Sequence, residues 1–170
     1  MVTFSNIIKT FNNVADNHYL INSFHSGFLD EVDINKMDLQ DFPILYCEPG
    51  SATIEQGVLT YSVTVFVLDV LKEDLSNRND VWTNTLEITQ DIIADFKQNL
   101  SIQTSGGDSG KKTSYAANEV VIEMPINSDP FTARFANILT GWQSTISLQV
   151  NNTNNLCNAP INPSDSNPNI

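Results

Sequence analysis

Two cysteines, two histidines and eight lysines and arginines are all that 170 residues supply of three chemically busy side-chain classes. Each scarcity excludes something. Two thiols, Cys47 and Cys157, are too few for a disulfide framework or a zinc cluster. Eight basic residues against twenty acidic ones leave a net charge of −12, which argues against a protein that grips phosphate backbones, because such binding needs a basic footprint. No apolar stretch approaches the length of a membrane span. The N-terminal MVTFSNIIKTFNN lacks the charged region and apolar core of an export signal. The expectation is a soluble product that is neither secreted nor membrane-bound. What is present is a hydrophobic content of 41%, enough for one ordinary core at this length.

The apolar residues fall into readable periods. Phe4, Ile7, Ile8, Phe11 and Val14 step by three and four, predicting a short amphipathic helix over 3–16. A short strand is expected near Tyr19–Phe24, followed by a solvated acidic loop around Asp30–Asp41. Phe42–Cys47 reads as a strand with its proline at the start, and Pro49–Gly50 and Gln56–Gly57 read as turns. From Leu59 to Val67 the odd positions are apolar while Thr60, Ser62 and Thr64 face the other way. This period of two marks a strand with a core side and a side for water or a polar partner. Beyond residue 65 both sides turn apolar. About thirteen residues in this strand would span about 43 Å, long enough to project as one arm of a hairpin.

Ser76 or Asn79 can cap a long helix over about 80–98, with Asp80 at its positive end and Lys97 at its negative end. Its stripe runs through Trp82, Leu86, Thr89, Ile93, Phe96 and Leu100, broadened by Val81, Ile88 and Ile92. Residues 101–118 form a Gly/Ser/Lys loop, Glu119–Ile126 a strand, and Trp142–Val150 a half-buried strand entered through Gly141, which marks a bulge or a close backbone approach. The sum is an α+β fold. A mostly antiparallel sheet with a long β-hairpin packs on one long helix and a short N-terminal one. Residues 1–150 make a single domain, and 151–170 an extended Asn/Pro-rich arm.

Motifs that carry chemistry were tested against their requirements. Gly107–Gly110 spells GDSG, but His18 and His25, the two histidines available as a base for Ser109, lie in no supporting context. The stretch around Ser105–Lys112 lacks the first glycine and the final hydroxyl of a phosphate-binding loop. Asp30, Glu31, Asp33, Asp38 and Asp41 do not space as a calcium loop, since Asn35 stands where the turn needs glycine. Cys47, inside an apolar strand, reads as a buried inert thiol, and Cys157 as free or paired with it only under oxidising conditions. Asn99 and Asn151 begin glycosylation sequons that mean little without export. The sequence therefore predicts no catalytic, cofactor-binding or metal site, and no enzyme.

The order of the segments FPILYCEPGSATIEQGVLTYSVTVFVLDVL, SNRNDVWTNTLEITQDIIADFKQNL, PINSDPFTARFANILTGWQSTISLQV and NNLCNAP resembles small neck and tail-completion proteins of tailed double-stranded DNA bacteriophages, of the tail-terminator or head–tail connector type. The resemblance spans about residues 15–160. It implies a virion structural protein, made in the host cytoplasm, that joins copies of itself in a six- or twelvefold ring. Such a ring docks to portal, connector or tail proteins and lets genomic DNA pass without specific binding. It also implies a hairpin contributing to intersubunit sheets, which residues 53–70 would supply. Acidity suits a DNA channel, because Asp and Glu repel phosphates. The alternative reading is a β-rich binding module for carbohydrate or a surface partner, with Trp82, Trp142, Tyr19, Tyr46 or Tyr115 as stacking rings.

Overall fold

A computed structural model describes residues 2–28, 38–99, 120–134 and 138–152. Two helices lie on one face of a six-stranded, mostly antiparallel sheet. Helix α1 spans Phe4–Asn17 and α2 Arg78–Asn99. The strands are β1 Ser23–Ser26, β2 Ile44–Glu55, β3 Val58–Val70, β4 Val120–Ile122, β5 Ser128–Arg134 and β6 Ile138–Asn151. They run in the order β1-β2-β3-β6-β4, with β5 on the same outer side of β6 as β4. Among the described strands only β1 against β2 is parallel. Among the described residues no helix is long and apolar enough to cross a membrane.

Local chemistry explains each element. Thr3 caps α1: its hydroxyl accepts from the Asn6 amide, and the Asn6 side-chain oxygen accepts in turn from the Thr3 amide. Helix α2 begins one residue after Asn77. The Asn77 side chain accepts from the Lys72 amide and donates to the Val70 carbonyl, fixing the helix start to the end of β3. The helix starts at Arg78, so Asn77, rather than Ser76 or Asn79, is the residue at its boundary. The buried stripe of α2 runs through Val81, Thr85, Ile88, Thr89, Ile92 and Phe96, while Trp82, Leu86 and Ile93 sit at its flanks. Threonine can join this stripe because Thr85 donates to the Val81 carbonyl and Thr89 to the Thr85 carbonyl.

The main core lies between the helices and the odd side of β3. Val63, Val65 and Val67 meet Ile146, Leu148 and Val150 from β6, Leu45 and Cys47 from β2, and Ile7, Phe11, Ile88, Ile92 and Phe96 from the helices. Phe11 and Phe96 close the two helices on each other with ring centroids 4.3 Å apart. A second apolar cluster forms on the opposite face at one end of the sheet, from Phe42, Ile44, Tyr46, Phe66, Leu68 and Leu139. This is where β3 was expected to turn apolar on both sides.

Several boundaries differ from the sequence expectation. Pro49–Gly50 is no turn: the register shifts between Pro49 and Ala52, so the chain bulges there and β2 continues to Glu55. The two-residue turn falls at Gln56–Gly57, with Gly57 at φ 81°. The first strand sits at Ser23–Ser26, leaving Tyr19 and Leu20 in an exposed turn. β3 is one arm of a long hairpin with β2, as expected, but it does not project beyond the sheet, because β6 pairs with it from Val58↔Asn151 to Val70↔Leu139. The expected strand over 119–126 stops at Ile122; Met124 is exposed, and a further strand, β5, follows. The GDSG stretch, the Gly/Ser/Lys loop 101–118, most of the acidic loop and the 153–170 part of the arm lie outside the described residues.

Candidate functional site

Two features of the sheet stand out as places where something can bind. The first is an edge. β1 covers β2 only from Ile44 to Cys47, so the outer side of β2 beyond Glu48 has no partner strand among the described residues. Ser51–Glu55 are all exposed, and Ile54 is 75% exposed on the helix side of the sheet, opposite Leu59. An extended edge with free backbone donors and acceptors is a template for another strand. The opposite edge at the same end of the sheet is β4, where Val121 is 50% exposed.

The second feature is the sheet face that carries no helix. Along β3 that face changes from Leu68 and Phe66 to Thr64, Ser62 and Thr60. β6 brings Gln143, Thr145, Ser147 and Gln149 alongside, in register with Phe66, Thr64, Ser62 and Thr60. Two clefts open over this polar half. One of about 500 Å³ is lined by Thr64, Pro125, Asn127, Asp129, Gln143 and Thr145. The other, about 280 Å³, lies over the Thr60–Ser62 and Ser147–Gln149 stretches, between Glu55 on β2 and Glu123 beyond β4. The hydroxyls of Thr60, Ser62, Thr64, Thr145 and Ser147 make no side-chain hydrogen bond within the described chain. Gln149 donates to the Glu123 carboxylate across the floor of the smaller cleft.

The residues singled out in the sequence are scattered. His18 lies at the end of α1 with Nε2 3.3 Å from an Asp91 carboxylate oxygen on α2, and its Nδ1 accepts from the Leu20 amide. His25 sits on β1 beside Tyr46. Among the described residues no group of three or more His, Cys, Asp or Glu is gathered to hold a metal ion. Cys47 is fully buried with a free thiol, and burial pushes that thiol well above its ordinary range. Of the aromatic rings, Tyr46 is buried against Phe66, and Tyr19 is fully exposed. The indole of Trp82 donates to the Thr140 hydroxyl and that of Trp142 to the Trp82 carbonyl. The guanidinium of Arg78 lies 5.8 Å over the Trp82 ring. Those two indoles join α2 to β6. Tyr115, Ser109 and Cys157 lie outside the described residues.

The polar face was half visible beforehand. The alternation in β3 and in β6 each announced a hydrophilic side, but their juxtaposition depends on a pairing between residues about eighty apart. The open edge was hidden by reading Pro49–Gly50 as the end of a strand. No known protein-family model matches the chain, and no curated protein matches it either.

Proposed function

We propose that this chain is a non-enzymatic virion structural protein, a ring-forming neck or tail component that joins portal or capsid to tail around the DNA channel. The observation that carries the reading is the uncovered outer edge of β2 at Ser51–Glu55. At that end of the sheet four strands alternate in direction, β2, β3, β6 and β4. With an even number of alternating strands, a second copy placed head to tail brings its β4 antiparallel to the open β2. The same sheet face then stays on the same side from copy to copy. Such a contact is heterologous, and a heterologous contact closes into a ring when its rotation divides a full turn. A net charge of −12 per subunit supports the channel role, because phosphates find no adhesive surface on an acidic wall.

The test is the mass of the purified protein in solution, joined to negative-stain electron microscopy. A closed ring of several copies is the expected result. A strictly monomeric species that also fails to add to isolated portal or tail complexes would remove the reading.

A further inference from the structure

We infer that the polar half of the helix-free sheet face is a docking groove for an extended, lysine- or arginine-bearing segment of a partner protein. The first support is charge. Among the described residues no cation lines either cleft, whereas Glu55, Glu123 and Asp129 stand around them. Glu48 shares the face, in register with Thr64. The cationic side chains described in this structure, Lys9, Lys72, Arg78 and Lys97, belong to α1, α2 and the loop between β3 and α2. Among the described residues no cationic side chain stands on this face beside its acids, and complementarity selects a basic partner for it.

The second support is the lining itself. The clefts are floored largely by hydroxyls that make no side-chain hydrogen bond within the described chain, groups able both to donate to and to accept from a peptide backbone. Thr60, Ser62 and Thr64 repeat every second residue, a spacing of about 7 Å that matches alternate side chains of an extended peptide. The carboxylates stand on both flanks of this hydroxyl field, Glu48 and Glu55 toward β2 and Glu123 and Asp129 toward β4 and β5. A chain laid along the groove thus meets an acid on either side. Carbohydrate is the poorer fit, because among the described residues no aromatic ring lines either cleft. This inference does not depend on ring assembly, since a single copy carries the whole groove.

The experiment is a titration of the full-length, isotopically labelled protein with an eight-residue peptide alternating lysine and serine, followed by amide chemical shifts. The expected changes concentrate at residues 60–64, 123–129 and 143–149. The variant E55Q/E123Q/D129N should weaken binding about tenfold, from three solvent-facing ion pairs. A control with three helix-side and loop acids neutralised, D16N/E73Q/E87Q, should bind as the unaltered protein does. Shifts spread over the helices, equal weakening by both triple variants, or no response at millimolar peptide would overturn the inference. So would a response at the same residues to calcium or to a soluble chitin oligomer without one to the peptide.

Discussion

At the scale of single residues, backbone contacts set the hardest constraints. Gly141 lies opposite Leu68 where β3 and β6 approach so closely that an added Cβ would fall 1.8 Å from the Val67 carbonyl oxygen. Nothing flexible stands there to move aside. Gly141→Ala should therefore destabilise by about 3 kcal/mol or more, as overpacking against a fixed neighbour does. At Gly50, inside the β2 bulge, the nearest atom is the Ser62 carbonyl oxygen at 2.8 Å, so Gly50→Ala should cost less. Urea denaturation of the two variants gives the order, and a Gly141→Ala protein as stable as the parent would contradict the packing described. Asp69 offers a different constraint. Burial raises its carboxyl above the ordinary 3.8, against a smaller lowering by the Val70 amide. In the unfolded chain it ionises first as pH rises, so the folded state loses stability between the ordinary value and its own, and keeps that penalty above. Asp69→Asn retains an oxygen for the Val70 amide and removes the charge. It should stabilise the protein near neutral pH, with an advantage that shrinks and disappears as pH falls toward about 4. Urea midpoints of both proteins over that range check the sign.

At the scale of elements, legibility tracked how local each cause is. Both helices were readable because their determinants sit within a turn or two, and the Thr3 cap of α1 illustrates it. Thr3→Ala removes the hydroxyl that accepts from the Asn6 amide and should cost about 1 kcal/mol, read from thermal unfolding, with Thr3→Ser restoring most of it. The alternation of β3 was equally plain, since its valines repeat at every second position. What failed was decided at a distance. Pro49–Gly50 carries turn chemistry, yet pairing with β3 resumes beyond the bulge, so the strand runs through. β5, with Asp129 and Pro130 inside it, drew no expectation from the sequence, and is a strand because an edge position tolerates a missing N–H. In α2 the buried stripe is rotated from the most apolar reading, because Thr85 and Thr89 meet their hydrogen-bonding needs within the helix. The candidate sites followed the same rule. Each polar strand side was visible, but the groove exists only through the β3–β6 pairing, and the open edge only through the shortness of β1.

For the whole molecule, the two sides of the sheet are guarded unequally. Along β5 the outer strand contains a proline and an aspartate, devices that discourage a further strand. The exposed part of β2 has neither from Ser51 to Ile54, and it presents an isoleucine that is three-quarters exposed. If that segment is where copies join, a lysine within it should block the joint without harming the subunit. Ile54→Lys places a charge that a neighbouring strand would have to desolvate, while in the lone subunit the ammonium simply stays in water. The variant's thermal unfolding should stay within about 0.5 kcal/mol of the parent, as surface substitutions usually do. Sedimentation velocity should then find single subunits at concentrations where the parent forms its assembly. An Ile54→Lys protein that assembles as the parent does would move the joint away from β2. One that unfolds would show Ile54 to be part of the core, against its 75% exposure.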